Sequence, residues 1–204
     1  MSSVPGTVAL VDYGAGNLRS VENALRQVGA RVVVTRDPEA VRRADRVVVP
    51  GQGSMPECAQ AMQRSGAAEA LREAIARGAP VLGICVGLQL LFEDGEEAGG
   101  AKGLGILPGR IARLPATVKL PHIGWSPVRS TGAAVPLFAP LDGEYVYFAH
   151  SFAAPAEAPG VALLAEHGRP YCAALARANL YATQFHPEKS QRVGLALLER
   201  FVHL

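Results

Sequence analysis

The chain has 204 residues, of which 49% are hydrophobic, 19% charged and 6% aromatic. That is long enough to bury about 70% of the unfolded surface without disulfide staples, and too apolar for disorder. Twenty Lys and Arg against 18 Asp and Glu leave a net charge of +2, which argues against a nucleic-acid-binding or membrane-surface protein.

No apolar stretch approaches the roughly 20 residues of a membrane span, and the first six residues lack the positive start of a signal peptide. Cys58, Cys85 and Cys172 are far apart and form no Cys-x-x-Cys. They offer neither a disulfide framework nor a local zinc site, so no metal is expected and the compartment reads as reducing and cytoplasmic.

Residues 7–12 form an apolar run ending in an acid, a buried strand. Asn17 offers an N-cap for a helix carrying Leu18, Val21, Leu25 and Val28, stopped by Gly29. Residues 31–34 read as a second strand, 38–44 as a helical turn, and 47–49 as a third strand ending at Pro50-Gly51-Gln52-Gly53. A helix is expected over 66–77, a fourth strand over 80–84, and a helix from Val86 to about Glu93. From Gly105 short strands take over, at 106–114, 122–128, 145–150, 161–166, 172–176 and 180–186. A last helix over 189–204 carries Val193, Leu197 and Phe201. The expected fold is α/β: a doubly wound, mostly parallel sheet with flanking helices and added antiparallel strands. Residues 95–103 read as a surface loop, and 1–204 as one domain, since neither half has strands enough to close its own core.

Gly83-Ile84-Cys85-Val86-Gly87 joins a buried strand to a helix. Gly-x-nucleophile-x-Gly is the arrangement of a nucleophile elbow, whose glycines relieve collisions around a strained turn. It predicts a Cys85 sulfur exposed above the sheet at a helix N-terminus, which favours a thiolate. Of the five histidines, His186 ends a strand and is followed by Pro187 and Glu188, so in extended chain the His and Glu side chains share a side. Cys85, His186 and Glu188 then supply nucleophile, base and orienting carboxylate. The N–H of Val86 is one oxyanion donor. The loop Pro50–Gly53 supplies the second through Gly51 and Gln52. A peptide between Gly51 and Gly53 can rotate, and only one orientation presents the Gln52 N–H to the sulfur. Gly14-Ala15-Gly16 lacks the third glycine of a dinucleotide fingerprint and is set aside.

These strings, with Gly83–Gln89 and Gln184-Phe185-His186-Pro187-Glu188, resemble the class I (triad) glutamine amidotransferases along the whole chain. Asp12-Tyr13-Gly14-Ala15-Gly16-Asn17-Leu18, Pro121-His122-Ile123-Gly124-Trp125 and His186-Pro187-Glu188-Lys189-Ser190 are most similar to the glutaminase subunits of imidazole glycerol phosphate synthases. The resemblance implies no cofactor, a glutamyl thioester on Cys85, proton transfer by His186 and orientation of His186 by Glu188. It also implies ammonia delivery to a separate cyclase subunit in a heterodimer, giving imidazole glycerol phosphate and an aminoimidazole carboxamide ribotide in histidine biosynthesis. The sequence departs from the family pattern at Ser126, where Asn is usual, and at Phe152, where Tyr is frequent.

Gln89, His150 and Ser151 are expected at the glutamine; Gln89 reads equally as a solvated helix residue. Asn17, Trp125 and Lys189 are expected on the docking face, with Trp125 readable also as a core aromatic. A glutaminase serving a pyridoxal-phosphate or anthranilate-type synthase, and a non-catalytic binding subunit of the same fold, stand as alternatives.

Overall fold

The computed structural model describes residues 6–14 and 17–204; residues 1–5 and the Ala15-Gly16 of the Gly-x-Gly string lie outside the described residues. Strand β1 (Thr7–Val11) is buried from Val8 onward. Asn17 caps helix α1 (Leu18–Gln27): its side-chain oxygen accepts from the Ser20 N–H, and its amide donates to Ser20 Oγ at 2.7 Å. Strand β2 (Arg31–Thr35), helix α2 (Pro38–Arg43) and strand β3 (Arg46–Val49) follow. Helix α3 (Met55–Arg64) was not anticipated, although its buried Met55, Cys58, Ala59 and Met62 recur at helical spacing. Helix α4 (Ala67–Ala76) and strand β4 (Val81–Ile84) lie where expected.

Helix α5 (Val86–Gln89) is a single turn, not a helix to Glu93. The carbonyls that a longer helix would use are taken from outside. Leu104 N–H donates to Leu90 O at 2.7 Å, and Ile106 and Leu107 N–H both donate to Leu91 O. The chain passes instead into strand β5 (Phe92–Gly95), which pairs with β6 (Ala101–Lys102), so the expected loop is a hairpin.

Next come β7 (Leu107–Arg113), β8 (His122–Pro127), β9 (Arg129–Ser130), β10 (Tyr145–His150), β11 (Phe152–Ala153), β12 (Val161–Glu166), β13 (Pro170–Arg177) and β14 (Leu180–Thr183). β14 stops three residues before His186. A 3-10 turn, Pro187–Lys189, separates it from helix α6 (Gln191–Val202), which therefore begins later than expected.

The main sheet has the order β2-β1-β3-β4-β14-β13-β12-β9. It is parallel from β2 to β14 and antiparallel beyond. The step from β1 to β2 runs one way along the sheet, and the steps to β3 and β4 run the other. Right-handed crossovers therefore put α1 on one face and α2, α3 and α4 on the opposite one; α6 packs beside α1. Strands β11-β7-β5-β6 form a second sheet and β8-β10 a third. One continuous apolar cluster runs through these layers, including Leu10, Val48, Leu82, Phe185 and Phe201. Among the described residues, no helix is long and apolar enough to cross a membrane.

The β8-β10 ribbon packs its inner face with histidines. His122 is paired in register with His150, and its ring stacks on His167 with centroids 4.1 Å apart. That stacking leaves His167 half-buried. Burial pushes His122 down to about 4, helped by the nearby His167, and pushes His150 down to about 3.

The folded chain thus refuses protons that the unfolded chain accepts below the ordinary histidine value of about 6.5. Stability should fall as pH drops from 6.5 toward 4, with His150 contributing up to about 1.4 kcal/mol per pH unit. Denaturant midpoints at pH 7, 6 and 5 would measure the slope. His150→Gln should flatten it, and an unchanged slope would place the loss elsewhere.

Candidate active site

The carboxyl ends of β3, β4 and β14 lie side by side, and the chemistry collects there. Cys85 follows β4 with φ 54° and ψ −109°, a conformation costly for a residue with a Cβ. Its N–H donates to Thr183 O at 2.7 Å, and its carbonyl accepts from the Leu88 and Gln89 N–H groups. A Cβ on Gly83 would lie 2.8 Å from the Gly87 carbonyl oxygen, and one on Gly87 would lie 2.2 Å from Val49 O. The elbow glycines are therefore required sterically. The second collision, however, is with the neighbouring strand rather than within the elbow.

The sulfur is not exposed above the sheet. Cys85 is 3% exposed and borders a cavity of about 210 Å³ whose wall includes Gly53, Gln89, Glu97, Pro121 and Ser151. The segment from Ala149 to Phe152 and Pro121 covers what would otherwise be an open sheet top. With α5 only one turn long, its dipole is a small influence; the side chains around the sulfur carry the electrostatics.

His186 is 5% exposed, and its main-chain N–H donates to Tyr147 O at 2.9 Å. His186 Nδ1 and Glu188 Oε1 are 2.8 Å apart, with the Glu188 side chain 1% exposed. The pair meets as expected, but not through extended chain: Glu188 folds back within the 3-10 turn that His186 caps. Ser190 closes this turn, donating from Oγ to His186 O at 2.7 Å and accepting there from Tyr147 N–H. Burial disfavours the charge on His186, but the adjoining Cys85 sulfur and Glu188 carboxylate outweigh it and raise the imidazole to about 10. The imidazole thus stands between the Cys85 sulfur and the Glu188 carboxylate.

Gln89 is buried rather than solvated. It lines the cavity, and its Nε2 donates to Phe152 O at 2.8 Å and to Gln184 Oε1 at 3.2 Å. His150 borders the cavity, yet its ring lies 5.0 Å from that of Tyr171, and Nδ1 pairs with Phe152 O at 2.9 Å. Phe152 thus serves through its carbonyl. Ser126 Oγ lies 3.0 Å from His122 Nε2, so that departure from the family pattern falls on the ribbon's inner face.

Sequence reasoning missed Glu97 in the wall. Its Oε2 accepts from Met55 N–H at 2.7 Å, and no local pattern marks it.

At the oxyanion loop, Val86 opens its turn and has no intrahelical acceptor for its N–H. A Cβ on Gly51 would lie 2.3 Å from Gly87 N, whereas Gly53 takes φ 106°. Gly51 is thus glycine for close approach and Gly53 for conformation. Tyr13 OH donates to Pro50 O at 2.5 Å, and the Cys58 thiol to Gln52 O at 3.7 Å. The Gly51–Gln52 peptide is the unit left between these two anchored carbonyls.

Three comparisons bear on this arrangement. The family model described as "Glutamine amidotransferase class-I" matches residues 9–204. The imidazole glycerol phosphate synthase subunit HisH of Syntrophotalea carbinolica is 45% identical over 95% of this chain and 98% of its own. That of Symbiobacterium thermophilum is 49% identical over 94% and 91%. Among solved structures, PurLQS from Thermotoga maritima superposes with a TM-score of 0.73 over 96% of both chains at 18% identity. A glutamine amidotransferase superposes at 0.71 over 94% and 98% at 20% identity; these two likenesses concern the fold.

Burial pushes the Cys58 and Cys172 thiols up, whereas Cys85 faces an imidazolium. Iodoacetamide at neutral pH should therefore alkylate Cys85 at least tenfold faster than the other two, as mapped by peptide mass spectrometry. Equal labelling would remove the case for an activated sulfur.

Proposed function

Because this chain belongs to the class-I glutamine amidotransferase family, we propose that it is the glutaminase subunit of an imidazole glycerol phosphate synthase, working in the cytoplasm beside a cyclase subunit. The observation that carries the chemistry is the buried Cys85–His186–Glu188 constellation at the wall of a cavity sized for one amino acid.

The Cys85 sulfur attacks the side-chain amide carbon of glutamine, and the C=O electron pair moves onto oxygen. The Val86 N–H and the Gln52 N–H receive that charge. His186 gives its Nε2 proton to the departing nitrogen, and ammonia leaves behind a glutamyl thioester. Neutral His186 then takes a proton from water as it attacks the thioester, and collapse returns glutamate and the thiolate. Glu188 accepts from the His186 Nδ1–H and keeps that proton in place. Glu97 and Ser151, on the cavity wall, suit the ammonium and carboxylate of the amino acid.

Ammonia needs a consumer, and the surface offers a place for one. Cross-strand partners share a face, so Trp125 with Tyr147, and Pro127 with Tyr145, lie on the outer side of the β8-β10 ribbon. Ile123, Trp125 and Tyr145 are 62%, 43% and 58% exposed. The indole packs edge-on against Tyr147, and Lys189 Nζ sits 5.7 Å from that ring's centroid. Trp125 is thus a surface residue rather than a core one. The patch continues along the ribbon to Ala149 and Pro121 at the cavity. Asn17 begins the helix that packs on the turn carrying Lys189. An apolar patch beside a catalytic cavity suits a partner that receives the product directly.

Cys85→Ala should abolish glutamine-dependent synthesis by the complex and leave ammonia-dependent synthesis intact; loss of both would make Cys85 structural. His186→Ala should cost more in kcat than Glu188→Gln, because only His186 moves protons, and the reverse order would overturn the assigned roles. Trp125→Ala should weaken the complex by at least tenfold in Kd, measured by calorimetry; an unchanged Kd would move the docking face elsewhere.

The isolated chain should turn glutamine over about 10²–10³-fold more slowly than the acceptor-loaded complex, the cost of one missing oxyanion donor when the Gly51–Gln52 peptide faces the wrong way. Equal rates would dispose of that switch.

A further inference from the structure

Gln184 is fully buried between the end of β14 and the nucleophile. Its main-chain N–H donates to Ala173 O at 2.8 Å, which fixes the backbone. Its side chain ends a relay of amides: Gln89 Nε2 donates to Phe152 O at 2.8 Å and to Gln184 Oε1 at 3.2 Å, and Gln184 Nε2 donates to Cys85 Sγ at 3.6 Å.

The direction of this relay is dictated at its far end. A main-chain carbonyl only accepts, so Gln89 must turn its NH₂ toward Phe152 O. That same NH₂ reaches Gln184, which must meet it with its oxygen. Only the NH₂ of Gln184 is then left for the sulfur. The orientation of a glutamine amide is usually ambiguous; here the anchored carbonyl resolves it.

We propose that Gln184 is a further member of the catalytic apparatus, whose amide N–H holds the reacting sulfur of Cys85 and favours its anionic form. The proposal rests on the glutaminase reading above. An N–H donor stabilises a thiolate far more than a thiol, because the bond to the anion is charge-assisted. The sulfur thus has two supports, the imidazolium of His186 and this neutral amide. Only the amide keeps its character through the cycle. Once His186 has given its proton to the leaving ammonia, the thioester sulfur carries no charge and the amide bond to it weakens. As water displaces the sulfur, negative charge returns to it and the bond strengthens again, so the same N–H assists expulsion of the thiolate. The far end of the relay lies at Phe152, next to Ser151 in the cavity wall, and ties that wall to the nucleophile.

Two near-isosteric substitutions separate this role from packing. Gln184→Met keeps the volume and removes the donor. Gln184→Glu keeps the shape and places a carboxylate against the sulfur. Iodoacetamide alkylation of Cys85, followed across pH in the purified chain, reads the anion directly and needs no partner. Its pH midpoint should rise by about one pH unit in Gln184→Met and further in Gln184→Glu. In the complex with the cyclase subunit, kcat for glutamine hydrolysis by Gln184→Met should fall about tenfold with KM little changed, and ammonia-dependent synthesis should be unaffected.

An unshifted alkylation midpoint in folded Gln184→Met overturns the proposal, as does a loss confined to KM. If that variant does not fold, Gln89→Met breaks the relay from its far end; its midpoint must also rise, and an unshifted one is equally fatal. Failure of the native complex to use glutamine would instead overturn the glutaminase reading, while the alkylation result would still report on Gln184.

Discussion

The structure turns on the crowding of three main-chain segments around one strained residue. Cys85 holds φ 54° only because Gly87 sits against the Val49 carbonyl, Gly83 against the carbonyl of Gly87, and Gly51 against the Gly87 nitrogen. Each contact fails if a single methyl group is added. The parallel order β3-β4-β14 brings the three loop segments to one edge, and the crowding leaves no room for a Cβ between the first two. Nucleophile and oxyanion loop are held to one another by main-chain sterics, while the base is fixed beside them by the hydrogen bonds of its turn to Tyr147 and Ser190.

Electrostatics is built onto that frame by burial. Inside a dry pocket an ion pair is favourable only if its members are hydrogen-bonded. Here the imidazolium of His186 has Glu188 behind it and the sulfur in front, and Ser190 fixes the turn on which both His186 and Glu188 ride. The nearby His122 and His150 go the other way. Lacking a carboxylate partner, they are held neutral by the same burial and act as packing and hydrogen-bonding groups. One sequence thus contains buried histidines of opposite character, and their neighbours decide which is which.

The two faces of the β8-β10 ribbon divide structure from association. The inner side, with His122, Phe148 and His150, is core. The outer side, with Ile123, Trp125 and Tyr145, is left to solvent and runs up to the cavity. The two-residue period of a strand makes this division automatic. It explains why Ser126, on the inner side, could differ from its usual counterpart without altering the outer surface.

By itself the sequence determined the α/β order, the elbow at Cys85 and the partnership of His186 with Glu188. The first two rest on short-range rules, period and glycine spacing; the pair follows from its two-residue separation, which a 3-10 turn and not a strand end brings together. Other features came from contacts distant in the chain. Helix α5 ends after one turn because Leu104, Ile106 and Leu107 claim its next carbonyls. The two-residue strands β6, β9 and β11 exist only through their pairing partners. Cys85 is covered by the segment around Ser151, Gln89 turns its amide inward to Phe152, and Glu97 reaches the cavity from a hairpin. Tyr13 and Cys58 brace the oxyanion loop from a strand end and a helix that precede and follow it. The sequence could name the reacting atoms because local chemistry demands them. Only tertiary structure could choose their surroundings, because burial and hydrogen-bond partnership depend on which segments meet.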